Sequence, residues 1–201
     1  MIIVLATSNE HKVKEFNEMV DDYDIKFISL KDIDFHDEII ENGKTFEENS
    51  LIKASAISKK TDFVVLADDT GIEIEELGEH FPGIYSHRYA ESNGGPLKTN
   101  ELLIKKVPGS KAKFTCVLTV MNLEENPLVF KGEMNGTISN KIINPDAFGY
   151  DPIFIPEGYS YPIAYYGDKL KNAISHRSIA FKKFLDYLRQ RNLLLSKSLS
   201  K

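Results

Sequence analysis

Cysteine occurs once in this 201-residue chain, at Cys116, so an internal disulfide is excluded. The residue lies in the apolar run Phe114-Thr115-Cys116-Val117-Leu118 and reads as an inert core thiol. No stretch is long and apolar enough to span a bilayer. The opening Met1-Ile2-Ile3-Val4-Leu5-Ala6 has no basic flank and turns polar at once. It is therefore expected to be a first strand, not a signal peptide, and the expected location is the cytoplasm. There is no Gly-x-x-x-x-Gly-Lys run, which excludes a P-loop. Nor is there a basic excess: 25 Lys and Arg stand against 30 Asp and Glu, a net charge of −5. That balance argues against a general nucleic-acid or anionic-membrane surface, but a few local cations can still hold a small anion. Internal repeats and low-complexity linkers are also missing.

The length suits one well-buried core, or two lobes sharing a sheet. Residues 1–201 are read as a single domain. Ile2 to Ala6 is an expected strand, followed by a helix with Val13, Phe16 and Val20 at helical spacing. A second short strand falls within Tyr23 to Ser29, and an acidic loop spans Lys31 to Lys44. Thr45-Phe46-Glu47-Glu48 fits a capping box opening a helix to about Lys60. Phe63 to Ala67 and Gly71 to Glu75 read as two strands with Thr70-Gly71 as a turn between them. Glu79 to Gly95 reads as irregular, and Pro96 to Val107 as helical. Lys113 to Leu123 and Leu128 to Ile138 look like a long antiparallel pair, with a short strand at Ile153 to Ile155. Ser175 caps a last helix whose core face is Phe181, Phe184, Leu185 and Leu188, and residues 193–201 are expected to fray. The order predicts an α/β fold: an elongated mixed β-sheet flanked by helices, in two lobes with an active-site cleft between them.

Asp68 and Asp69 follow the apolar run Phe63-Val64-Val65-Leu66-Ala67. Carboxylates delivered by a buried strand hold a metal, act as a base, or are neutralised by a nearby cation, because an unpaired buried charge is too costly. Glu41 with Asp69 would suffice for Mg²⁺, which keeps several waters and takes substrate phosphate oxygens; Glu38 is the alternative to Glu41. Thr7-Ser8-Asn9-Glu10-His11-Lys12 stands where strand one becomes a helix, a place suited to anions, though an ordinary N-cap with a solvated lysine has the same pattern. His176 and Arg177 fall in the first turn of the last helix, where cations oppose the helix dipole unless a polyanion lies nearby, and Lys171 is just upstream. In Phe148-Gly149-Tyr150-Asp151-Pro152, an aromatic can stack on a base and Asp151 can accept from a ring N–H; a tight turn with two core aromatics is the plainer alternative. His87 has no evident partner and is left as structural. An anion cradle, a carboxylate pair, a second cationic cluster and a base-sized aromatic turn together suit a nucleoside triphosphate.

These segments resemble the inosine triphosphate pyrophosphatase family. The matching motifs are Ala6 to Lys12, Glu41 to Asn49 with Lys53-Ala54, Ala67 to Gly71, Pro82 to Ser86 with Arg88-Tyr89, Phe148 to Pro152, and Lys171 to Arg177. They run in the family's order over nearly the whole chain. The resemblance implies hydrolysis of a nucleoside triphosphate to monophosphate and pyrophosphate, with Mg²⁺ (Mn²⁺ as a possible substitute). It implies a preference for ITP, dITP and XTP, and a homodimer. It assigns Thr7, Ser8, Asn9, Glu10, His11, Lys12, Lys53 and Thr70 to the triphosphate, Glu41 and Asp69 to the metal, and Asp69 to base catalysis. Phe148, Gly149, Tyr150, Asp151, Lys171, His176 and Arg177 would line the nucleotide pocket. The stretch Ala164 to Lys169 lacks the glutamate often found there in the family. A Maf-like pyrophosphatase for modified pyrimidine nucleotides is the neighbouring alternative, but the arginine pair it needs after the first strand is replaced by Glu10-His11-Lys12. A non-catalytic nucleotide-binding regulator is the third.

Overall fold

Thr45 opens the helix that the sequence marks most clearly. Its backbone is extended, and its side chain accepts the Glu48 N–H at 3.1 Å. The Glu48 carboxylate reaches back one residue further than in the usual box, to the Lys44 N–H at 2.6 Å. Together they satisfy two donors around the start of α2 (Phe46–Ser58). The computed structural model describes residues 1–8 and 10–197, His11 by its backbone alone. Six strands form one mixed sheet in the order β2-β1-β3-β4-β5-β6. They are β1 (Ile2–Leu5), β2 (Lys26–Ile28), β3 (Val64–Ile74), β4 (Lys111–Met121), β5 (Leu128–Ile138) and β6 (Phe154–Pro156). β1 pairs in parallel with β2 and β3, and β5 is antiparallel to β6. The other helices among the described residues are α1 (Glu10–Met19), α3 (Ser86–Ser92), α4 (Pro96–Lys106), α5 (Gly167–Ile174) and α6 (His176–Gln190). The α/β class with a mixed sheet is as expected.

The chain divides into two compact units. Unit 1 holds residues 1–69, 117–131 and 180–197, and unit 2 holds residues 70–116 and 132–179. In unit 1, Val65 and Ala67 of β3 pack with Val4, Ala54 and Ile57. Phe16, Phe27 and Phe181 meet ring to ring, with centroids 5.1 to 5.8 Å apart. The α6 face of Phe181, Phe184, Leu185 and Leu188 is buried as the spacing predicts. Unit 2 has its own core around Ile72, Ile74, Leu103, Phe114, Phe154 and Ile163. Cys116 is buried and unoxidised, as expected of a core thiol.

Four local readings need correction. Thr70 and Gly71 do not turn: β3 runs unbroken for 11 residues. Ile72 and Ile74 are fully buried, and staying extended keeps both on one face; the Ile72 N–H is held by the Ser86 hydroxyl at 2.8 Å. Asp68 and Asp69 therefore lie in mid-strand, not at a strand end. Residues 86–92 are helical, because the punctuating residues bound α3 instead of dissolving it: Gly94 and Gly95 have φ of 87° and 103° and bond back to Glu91 and Ala90. Residues 167–174 form α5, so Lys171 lies in a helical last turn. Finally, the expected fraying does not hold for residues 195–197. Leu195 accepts the Asp24 N–H at 2.8 Å, Ser196 bridges Tyr23, and the Lys197 N–H donates to Asp22 at 3.0 Å. Residues 198–201 lie outside the described residues.

Gly136 pairs with Pro156 in the β5–β6 ladder. A Cβ there would collide with the Ile155 carbonyl oxygen and come within 2.6 Å of Phe154 Cζ. Gly136→Ala should cost about 1–3 kcal/mol, the range for overpacking, read as a lowered urea midpoint at unchanged slope; an unshifted midpoint would show that β6 yields freely.

Candidate active site

Side chains alternate faces along a strand, so the two mid-strand aspartates point opposite ways. Asp69 continues the face of Val65 and Ala67, which packs on α2. There Lys53 Nζ stands 3.4 Å from Asp69 Oδ1 and 3.0 Å from Glu41 Oε2. Asp68 is 3% exposed, and both its oxygens lie 3.1 Å from Nζ of Lys12 on α1. Each buried carboxylate thus meets a lysine from a different helix. Lys12 is not the solvated lysine of an ordinary N-cap.

The charges do not balance on the α2 side. Burial is the main cause that raises the Asp69 carboxyl from its ordinary 3.8 to about 6; Lys53 opposes the shift, Glu41 and Asp68 add to it, and the Asn49 amide opposes it slightly. Burial works against the charge of Lys53, but Asp68, Asp69 and Glu41 outweigh it and hold its pKa above the usual lysine value. Asp69 Oδ2 is buried and has no hydrogen-bond partner among the described residues. Among those residues no three His, Cys, Asp or Glu side chains are placed to hold a metal by themselves. A closed, all-protein metal site is thus not the fit. Magnesium, which needs only one or two carboxylates beside waters and phosphate oxygens, does fit the vacant Asp69 oxygen and Glu41.

Asn49 was not among the predicted site residues. It is 1% exposed, and its Oδ1 accepts the Gly43 N–H at 2.9 Å. A Cβ on Gly43 would lie 2.7 Å from both Asn49 Oδ1 and Glu48 Cβ, so glycine is required for the loop carrying Glu41 to approach α2 this closely. The sequence carried little signal for it: Asn49 follows Glu47 and Glu48 in a polar first turn of α2. Around α1, Thr7 is partly buried and its carbonyl accepts the Leu30 N–H at 3.3 Å. Ser8 is exposed. Glu10 bonds Lys31 at 2.9 Å on the exposed surface. Asn9 and the His11 side chain lie outside the described residues. Thr70, the first residue of unit 2, is half-buried in β3.

The remaining predicted residues lie in unit 2. Phe148 is 62% exposed. Gly149 follows at φ +57°, the left-handed conformation that favours glycine. Lys171 Nζ is 5.7 Å from the Phe148 ring centre and 2.8 Å from Asp151 Oδ2. Tyr150 is buried, and its hydroxyl donates to the Ser86 carbonyl at 2.6 Å; burial pushes its pKa well up. Of the turn's two aromatics, then, Phe148 is the one presenting an open ring. His176 and Arg177 are 6% and 5% exposed, so an exposed first-turn pair is not what forms. His176 stacks on Phe114, a residue absent from the sequence-based set, at 4.6 Å and 6°. His87, left as structural, is an exposed side chain 3.8 Å from Glu91. A separate cavity of about 870 Å³ in unit 2, lined by Glu73, His80, Lys111 and Lys113 among others, contains none of the predicted site residues; concavity alone points away from the charged clusters.

Fold and clusters define an α/β protein that gathers lysines and carboxylates around a mid-strand aspartate pair. The chain belongs to the Ham1 family, whose model matches residues 3–187. A Clostridium perfringens protein named dITP/XTP pyrophosphatase is 38% identical over 197 residues, covering 92% of this chain and 96% of that protein. One of the same name from Bacillus subtilis is 39% identical over 187 residues, covering 90% and 93%. Among solved structures, a HAM1 protein from Coxiella burnetii matches with a TM-score of 0.83 and 34% identity, covering 94% of this chain and 99% of that one. The Staphylococcus aureus Ham1 protein matches at 0.82 and 31%, covering 95% and 100%. The family resemblance read from the motifs is borne out.

A raised carboxyl pKa gives a signed stability prediction. Between its unfolded 3.8 and about 6, folded Asp69 keeps a proton that the unfolded chain releases, so stability is lost as pH rises through that window and is level above it. With chelator present, the urea stability of the wild type should fall relative to that of Asp69→Asn between about pH 4 and 6, by up to about 3 kcal/mol. Parallel curves across the window would refute the shift.

Proposed function

We propose that this protein is a metal-dependent nucleoside triphosphate pyrophosphohydrolase that converts ITP, dITP and XTP to the monophosphate and pyrophosphate, removing deaminated purine nucleotides from the pool. The observation that carries the reading is the Asp68-Asp69 pair with Lys12, Lys53 and Glu41 around it. Lysines held by buried carboxylates are preorganised cations, suited to charge that develops on a leaving pyrophosphate. Family membership and relatives named dITP/XTP pyrophosphatase support the substrate class.

Asp69 takes the proton of the attacking water. Asp69 and Glu41 would hold Mg²⁺, or Mn²⁺ in its place; the ion would supply charge neutralisation and orient the phosphate oxygens. The segment Thr7 to Lys12, with Lys53 and Thr70, holds the triphosphate, the lysines supplying the positive charge. In unit 2, Phe148 stacks on the base and Asp151 accepts a ring N–H, while Lys171, His176 and Arg177 supply positive charge and donors. A 6-keto purine offers an acceptor to such donors; adenine offers a donor there and is rejected. A homodimer in the cytoplasm completes the reading, with sedimentation as the check on assembly.

Phosphorus NMR of dITP, ATP and a modified pyrimidine triphosphate with Mg²⁺ tests it. Monophosphate plus pyrophosphate from dITP, with ATP spared, is expected. Turnover of the pyrimidine instead would indicate a Maf-like activity, and binding without turnover a regulator. Asp69→Asn should lower kcat by about 10²–10⁴-fold while the protein stays folded; near-normal turnover removes Asp69 from the mechanism. Arg177→Ala should weaken dITP binding and spare tripolyphosphate, whereas equal loss of both reassigns Arg177 to the phosphates.

A further inference from the structure

Asn100 lies on α4, far along the chain from every residue given a chemical role above. It is 1% exposed. Its Nδ2 donates to the Gly149 carbonyl at 2.9 Å, while its Oδ1 is buried with no hydrogen-bond partner among the described residues. A leucine on the same branched frame would strand no side-chain acceptor, but it would leave the Gly149 carbonyl without this donor. What the amide does, and leucine cannot, is grip one particular carbonyl. That carbonyl belongs to the φ +57° glycine linking exposed Phe148 to buried Tyr150.

The grip has a rigid base. The Thr99 hydroxyl bonds the Gly95 and Ala90 carbonyls at 2.9 and 3.2 Å, tying α4 to α3. The Tyr150 hydroxyl reaches the Ser86 carbonyl at the start of α3. Two hydrogen bonds, one to each helix, thus anchor the turn at Gly149 and at Tyr150. Phe148 is largely exposed, so the backbone more than packing sets where its ring lies. We propose that Asn100 is a positioning residue for nucleobase recognition, holding the Gly149 carbonyl so that Phe148 presents its ring to the purine in one fixed direction. The inference rests on the proposed function and adds a residue to its base-binding half.

Asn100→Asp removes the donor at constant shape, and Asn100→Leu removes it on the same branched frame with bulkier methyl groups. The wild type is assayed first with dITP and Mg²⁺. Given turnover, both variants should raise KM for dITP by at least about tenfold with kcat within about twofold, the pattern of lost uniform binding. Inhibition by tripolyphosphate, which has no base, should not change. Amide exchange in residues 148–152 should accelerate. An unchanged KM overturns the proposal, and so does a parallel loss of dITP and tripolyphosphate affinity. If Asn100→Leu does not fold, Tyr150→Phe, which loses only the second tether, takes its place: a raised KM for dITP alone supports the proposal, and an unchanged KM or a parallel loss overturns it. If the wild type does not turn over dITP, the functional reading fails, and exchange alone decides the tether: acceleration confined to residues 148–152 keeps it, and no change removes it.

Discussion

Two adjacent carboxylates in the middle of a buried strand make a demand that the surrounding chain must meet. Asp68 and Asp69 follow one another along the strand, which alternates their side chains between faces, and each ion-pairs with its own lysine. Helix α1 brings Lys12 to one and α2 brings Lys53 to the other. Glu41 then joins Lys53 and leaves that side with more carboxylate than ammonium. Burial, with Glu41 and Asp68 adding to it, raises the Asp69 carboxyl to about 6, and its Oδ2 has no hydrogen-bond partner among the described residues. A purely structural pairing would have been balanced. An unbalanced one leaves room for a cation and for a proton in transit, which is what the proposed chemistry requires.

Around that centre, supporting contacts fix geometry more than they add stability. Gly43 lies against Asn49 where no side chain would fit, which holds the Glu41 loop to the start of α2. In unit 2 the same logic recurs with different groups: Asn100 and Tyr150 hold a glycine turn by two hydrogen bonds, and Lys171 joins the turn to α5 through Asp151. In both units a buried amide side chain bonds a glycine's backbone next to a functional side chain.

Much of this was legible beforehand. The Thr45 cap, the α6 core face and the strands at the start follow from spacing and capping residues, which act over a few positions. The ordered motifs were enough to identify the family. The failures share a cause. Thr70-Gly71 looks like a turn because glycine permits one, yet burial of Ile72 and Ile74 keeps the strand straight. Pro82, Gly83 and Gly94-Gly95 look like irregular chain because they crowd a short segment, yet they mark the ends of α3. His176 and Arg177 look exposed because polar first turns usually are, and only the Phe114 ring under His176 shows otherwise.

Residue identity and order were enough to establish which groups are present: the aspartate pair after an apolar run, the lysines, the Phe148 turn, the family. Folding alone settled which lysine pairs with which aspartate, that His176 and Arg177 are buried, and that Asn49 and Asn100 bond the backbone of Gly43 and Gly149. The reason is range. Residue type and local spacing set propensities over a turn or a few strand positions, whereas burial and charge pairing join residues tens of positions apart, as Lys12 and Asp68 are, and these exist only once the chain has folded.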